Sequence, residues 1–332
     1  MKKGRAMRSK KAQSRLRYAV GAVAVVLPLG LAVCTRTEGP IQPDPGASST
    51  LSTHGTPACR VGLPGPALVL VPGPGASPYC IDARETTRAE YDAFLHGKAG
   101  DTHGQPAECA WNDSYTPALV DPNQEPPEGV LFYCSPKDWQ DVAPDAPATC
   151  VDFCDALAYC EWAGKRLCGR EGGPSRWGRV YIGYDQSMQL PAASEYHTML
   201  SAAGSVEGEL FNACSQGGLT TYPYGDAYVP GRCIDSTWVD AGGSFAVTGT
   251  SARACHGQSP PFDAIYDLSG SVREWQNFCG YWPNTTTPGC LEVFSSYVPT
   301  DGLDCAQLGS VAIQQVAPAT GFRCCADAVL VP

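Results

Sequence analysis

The stretch YCIDARETTRAEYDAFL, residues 79–95, holds a strand and a helix within one short run. Tyr79–Asp82 is short and apolar apart from its last residue, as a strand with a buried face should be. Behind it, Thr86 or Thr87 can accept a hydrogen bond from the first free amides of a helix. Tyr91, Phe94 and Leu95 fall on one stripe, and Gly97 follows as terminator, so the spacing predicts a helix. Upstream, ALVLVP (67–72) reads as a second strand, set off by a Gly/Pro turn. Downstream, DFCDALAYCEWAGKRL (152–167) repeats the helical plan, with Asp152 as cap, Leu157, Ala158 and Trp162 spaced for burial, and Gly164 at the exit. Most of the remaining chain is turn-forming sequence studded with Trp and Tyr. Two helices, short strands and long loops predict an irregular α+β domain with low secondary-structure content.

Cysteine usage depends on compartment. The chain opens with eight Lys and Arg before Tyr18 and has no acidic residue before Glu38. An apolar, Pro-interrupted run follows from Tyr18 to Val33, too short for the roughly 20 residues of a membrane span, and residues 1–33 are expected to be a secretory signal. The run ends in LAVC (31–34), similar to a bacterial lipobox, with Val33 where a small residue is usual. Cys34 is therefore the expected lipidation site, the alternatives being ordinary cleavage or an uncleaved anchor. Residues 34–58, rich in Pro, Gly, Ser and Thr, have little to bury and are expected to be a flexible tether; residues 59–332 form one domain. The expected location is extracytoplasmic, lipid-anchored to a bacterial membrane. Without the leading basic residues, 15 Lys and Arg face 33 Asp and Glu, a balance of −18. Such a surface repels nucleic acid, which is excluded as a partner.

Of 17 cysteines, 16 remain after Cys34: Cys59, Cys80, Cys109, Cys134, Cys150, Cys154, Cys160, Cys168, Cys214, Cys233, Cys255, Cys279, Cys290, Cys305, Cys324 and Cys325. An even set in an oxidising compartment is expected to form disulfides. The cluster at 150–168 has no C-x2-C knuckle of the zinc type. On a helix Cys150 and Cys154 share a face while Cys160 lies about 240° round the axis, so these thiols face different partners. Vicinal Cys324 and Cys325 are each expected to bond elsewhere. Connectivity does not follow from spacing.

The order of segments carries a resemblance. YCIDARETTRAEYDAFL, VDFCDALAYCEWAGKRL (151–167), YPYGD (222–226), IYDLSGSVREW (265–275) and GFRC (321–324) resemble, in sequence order, five motifs of the formylglycine-generating enzyme (sulfatase-modifying factor) family. The resemblance implies that family's C-type-lectin-like fold, disulfide-rich here, with bound calcium. It makes Tyr159, Cys160, Trp162, Lys165, Arg166 and Leu167 scaffold residues.

Two metal sites come into question through it. The family's Gly-Asn-Val-Trp-Glu-Trp holds calcium through side-chain and backbone oxygens, the ligands a hard cation takes. The matching positions make Ser271, Val272 and Glu274 candidate calcium ligands, although Ser271 is shorter than Asn and Arg273 replaces an apolar ring. A turn with a solvated Glu274–Arg273 pair stays open as the alternative. A second family calcium site falls near GRCIDSTW (231–238), where no ligands align. Family enzymes oxidise a substrate cysteine with oxygen at a copper(I) ion held by C-x4-C, since soft thiolates favour copper(I). The corresponding segment here is VFSSY (293–297) followed by VPTDGLDCA, with Cys305 as its one thiol and a pairing with Cys290 as the remaining way to build a thiol site. Copper is not expected, and no catalytic residue is assigned. G-x-S-x-G, H-E-x-x-H and Walker A patterns are absent. The expected role is a binding or structural module for a protein or glycan ligand; the alternative is a formylglycine-generating or other oxygen-dependent oxidase.

Overall fold

The computed structural model describes residues 55–73, 77–120, 134–169, 208–235, 255–281, 288–293 and 304–332. Two four-stranded sheets and one small ribbon organise them. In the first sheet β2 (Leu68–Val71), β3 (Tyr79–Asp82), β9 (Cys324–Asp327) and β4 (Arg166–Leu167) lie side by side in that order, all antiparallel. Every residue of β3 is buried, three apolar or aromatic and the fourth, Asp82, with Lys165 as its ion-pair partner, as befits a strand with a neighbour on either side. In the second sheet the order is β7 (Leu308–Ala312), β6 (Pro288–Val293), β5 (Arg273–Tyr281) and β8 (Thr320–Gly321), with β5–β8 the parallel pair. The ribbon pairs β1 (Thr56–Ala58) with β10 (Val329–Val331). Thr56–Ala58 thus belong to the domain, and the tether expected over 34–58 ends earlier, because backbone pairing rather than side-chain burial recruits these residues.

Helix α1 (Arg88–Lys98) starts at Thr87, whose hydroxyl accepts from the Glu90 amide while Glu90 reaches back to the Thr87 amide, a complete capping box. It ends at Ala99 in a left-handed turn rather than at Gly97. Gly97 serves packing instead: a Cβ there would lie 3.0 Å from Trp162 Nε1. Helix α2 (Pro136–Trp139) is a single turn. Helix α3 (Phe153–Trp162) is capped by Asp152, with Asp155 closing its box. Helix α4 (Glu209–Cys214) is short and largely buried.

Aromatic side chains join α1 and α3. Tyr91 stacks on Tyr159 at 5.9 Å, Phe94 meets Tyr159 edge-on at 5.6 Å, and Phe322 closes over Tyr159 at 5.2 Å. Such rings each bury large apolar areas, which lets two short helices hold a core. On its other side α3 reaches the second sheet: Phe153 packs against Trp275 of β5, and Trp275 Nε1 donates to Val151 O at 3.1 Å.

All sixteen cysteines from Cys59 onward are paired: Cys59–Cys80, Cys109–Cys154, Cys134–Cys150, Cys160–Cys324, Cys168–Cys325, Cys214–Cys305, Cys233–Cys255 and Cys279–Cys290. The four thiols at 150–168 go to four different partners, and vicinal Cys324 and Cys325 bond on either side of the α3–β4 turn, to Cys160 late in α3 and to Cys168 just after β4. Among the described residues no helix is long and apolar enough to cross a membrane. The expected signal run and Cys34 lie outside the described residues.

Candidate functional site

Three backbone segments converge where the two sheets meet. The link between β3 and α1 is tied down by the Thr86 amide donating to Phe322 O at 3.0 Å. The loop 265–272 is held against that link by the Tyr266 amide, which donates to Ala83 O at 2.8 Å, and on its far side by the Ser271 amide, which donates to Ile234 O at 3.0 Å. Asp267, Gly270 and Ser271 all adopt positive φ. At position 270 glycine is obligatory, because a Cβ would lie 2.4 Å from Ile234 O. The loop therefore folds back on itself before entering β5 at Arg273.

This arrangement buries Glu85, Asp267, Glu274 and Arg323, none more than 5% exposed. Arg323 takes Glu274 through two nitrogens, Nη2 to Oε1 at 2.6 Å and Nε to Oε2 at 2.8 Å. Beside them Lys165 Nζ pairs with Asp82 Oδ1 at 2.5 Å, and the Cys324 amide donates to Asp82 Oδ2 at 2.9 Å. Each cation is thus matched by one carboxylate. Glu85 is left over: both carboxylate oxygens are buried with no hydrogen-bond partner among the described residues. Burial pushes its carboxyl well above the usual range, with Asp267 and Glu274 pushing the same way and Arg323 opposing. Ser271 Oγ is likewise buried without a partner.

An unpaired buried carboxylate is expensive. Two solutions are open to it, a proton or a cation. A proton neutralises one oxygen and still leaves the second without a donor. A divalent cation would neutralise Glu85 together with Asp267, and Ser271 adds a further hard oxygen donor; among the described residues Glu85, Asp267 and Glu274 do not gather as three carboxylates within ligand distance of one another.

Residues 75–328 match the sulfatase-modifying factor enzyme 1-like domain. The chain belongs to this family. Among its relatives, the formylglycine-generating enzyme of Bos taurus is 24% identical over 269 residues, covering 75% of this chain. The chain spans 60% of the length of that relative. Of solved structures, PvdO from Pseudomonas aeruginosa is 17% identical, covers 76% of this chain and 81% of its own, and superposes with a TM-score of 0.42. CarF is 17% identical, with 80% of this chain and 96% of its own covered and a TM-score of 0.40.

Within this family member the site residues read from sequence fall as follows. Glu274 is buried in β5 and held by Arg323, so the solvated Glu274–Arg273 pair does not form; strand pairing carries Glu274 inward. Val272 is buried, with its side chain against Gly321. Glu85 and Asp267 are not assigned from sequence, although both stand inside motifs quoted above; the available signal is an acid two residues before the helix cap at Thr87 and another within the loop 265–272. Near the second calcium motif, Asp235 accepts from Tyr228 Oη at 2.6 Å and the Gly231 amide at 2.7 Å, and residues 236–238 lie outside the described residues.

Of the expected counterpart of the catalytic segment, 293–306, residues 294–303 lie outside the described residues. Its neighbour Cys305 is bonded to Cys214, and Cys290 to Cys279, so the Cys305–Cys290 thiol pair does not exist. The sulfurs of Cys168 and Cys325 lie within 4.8 Å of Glu209, but they are bonded to each other. The Glu209 carboxylate is in turn held by Arg166 at 2.5 and 2.7 Å and by the Gly169 amide at 2.9 Å.

Proposed function

We propose that this chain is an extracytoplasmic, lipid-anchored member of the sulfatase-modifying factor family that uses the domain as a rigid binding or structural module rather than for cysteine oxidation. The supporting observation is that every cysteine from Cys59 onward is consumed in a disulfide, including Cys305 beside the expected catalytic segment. A copper(I) ion needs two thiolates facing one another, and carboxylates or hydroxyls are poor substitutes. Site chemistry, not fold, sets activity. Eight disulfides are also compatible with an oxidising compartment outside the cytoplasm.

Calcium is part of this reading. Glu85, Asp267 and Ser271 would hold it, with Glu274 shared with Arg323. The ion would supply positive charge to a site with more buried carboxylates than cations, and so tie the loop 265–272 to the β3–α1 link. A protein or a glycan is the proposed partner, and the membrane is reached through the lipid on Cys34.

Membership of a family that includes oxidases favours the second reading, a copper-dependent formylglycine-generating-type oxidase. Incubating the protein with a cysteine-bearing sulfatase-type peptide, copper(I) and oxygen separates the two. The peptide should keep its thiol by mass spectrometry; conversion to the aldehyde, abolished by a copper chelator, would establish the oxidase.

A further inference from the structure

A cavity of about 120 Å³ opens between the end of α1, the loop that follows it and the outer face of α3. Leu157 and Glu161, one turn apart on α3, line it from the same helix face, with Trp162 beside them. Lys98, in the last turn of α1, faces them across the opening, its Nζ 5.6 Å from the centre of the Tyr115 ring. The loop wall is fixed by Gln105, whose Nε2 donates to Thr102 O at 3.2 Å and Asn112 O at 2.7 Å. Those two bonds set the amide orientation, and its Oε1 is left buried with no hydrogen-bond partner. The Cys109–Cys154 disulfide staples the same loop to α3, so the cavity is built on a cross-linked frame.

We propose that this cavity binds one neutral sugar residue at the end of a glycan. Its lining combines apolar and aromatic surface with four polar groups of different kinds: the Lys98 ammonium, the Glu161 carboxylate, the Gln105 amide and the His103 imidazole, whose Nδ1 lies 2.7 Å from Asp101 Oδ1. That mixture suits a ligand with one apolar C–H face and several hydroxyls, each able to donate and accept. Charge selects further. Glu161 disfavours an anionic ligand and Lys98 a cationic one, whereas a neutral polyol uses both. At about 120 Å³ the cavity has room for one ring at most, and that only with part of the ring in its open mouth, which places a terminal residue there and the rest of the chain outside.

This deepens the binding-module reading and rests on it. The test is saturation-transfer NMR on the intact chain with methyl glycosides of neutral hexoses and N-acetylhexosamines, alongside glucuronate and glucosamine. At least one neutral glycoside should bind in the millimolar range and more tightly than either charged sugar. Oligosaccharides ending in that sugar should bind, and those carrying it only internally should not. Glu161→Ala and Lys98→Ala, both at the protein surface, should each weaken binding at least ten-fold. No transfer to any neutral glycoside, a preference for a charged sugar, equal binding of internal residues, or unchanged affinity in both variants would overturn the proposal. The peptide oxidation assay stands apart from these outcomes: formylglycine there would overturn the module reading with sugar binding intact, and failed sugar binding would leave the peptide result unchanged.

Discussion

Arg323 and Glu274 meet through three nitrogen–oxygen contacts of 2.6 to 3.1 Å, and neither side chain is more than 2% exposed. The pair joins the segment between β8 and β9 to the start of β5, the two stretches that carry the GFRC and SVREW motifs. Burial favours a neutral guanidine, but Glu274, Glu85 and Asp267 more than offset it and hold Arg323 firmly charged.

Arg323→Met should therefore be among the most destabilising single changes. It leaves several buried carboxylates with one cation fewer, a defect worth about 3–5 kcal/mol in comparable buried pairs. Urea unfolding monitored by tryptophan fluorescence should show a lower midpoint with little change in slope.

Calcium removal should weaken the same junction. With calcium at about a hundred times its dissociation constant, wild type should gain about 2.7 kcal/mol over the chelated protein. Glu85→Gln should abolish most of that gain while leaving the chelated protein no less stable than wild type, since it replaces a buried carboxyl whose oxygens have no hydrogen-bond partner among the described residues. Thermal midpoints with calcium and with chelator measure both quantities.

Glu292 gives a pH signature of its own. It is fully buried, its nearest cation Arg273 lies 3.8 Å away, and burial pushes its carboxyl from 4.5 up to about 7 against the pull of Arg273. The folded state therefore keeps the proton that the unfolded state releases near 4.5. Stabilisation from this group is complete below 4.5 and is lost as pH rises to about 7. Glu292→Gln should remove that slope, so the variant gains on wild type by at most about 3 kcal/mol between those limits. Urea midpoints across the range decide it.

Cys160–Cys324 closes a loop with a sequence separation of 164, the longest of the eight. Replacing both cysteines by Ala should cost about 2–5 kcal/mol, chiefly by freeing the unfolded chain. In the wild type, alkylation of the denatured, unreduced domain should label none of the sixteen cysteines after Cys34, as read by intact mass.

Local signals carried much of this fold. The cap at Thr87, the stripe of Tyr91 and Phe94, and the capped helix from Asp152 depend on neighbours three or four residues away, so they were legible. Disulfide formation followed from compartment and parity, but its connectivity did not, because partners such as Cys160 and Cys324 meet only through tertiary packing. The nine residues of β5 were hidden for a similar reason: REWQNFCGY alternates poorly, and what makes it a strand is pairing with β6 and β8. At the candidate site, resemblance pointed to one loop, whereas the charge imbalance that makes the site interesting arises between Glu85 and Asp267, far apart in the chain. The polar cavity beside α3 left no sequence signal, since its wall is assembled from a loop, two helix ends and a disulfide.

The β1–β10 ribbon has a mechanical consequence. Force arriving along the chain from the side of residue 55 meets Thr56–Ala58 first, and these three residues can peel from β10 one pair at a time. The next residue is Cys59, covalently joined to Cys80 in the buried strand β3. Peeling thus lengthens the lead by about 10 Å and then stops at a sulfur–sulfur bond. Beyond that point load passes into the central sheet, and a tug that would unravel an uncross-linked domain from its edge is arrested after one short strand.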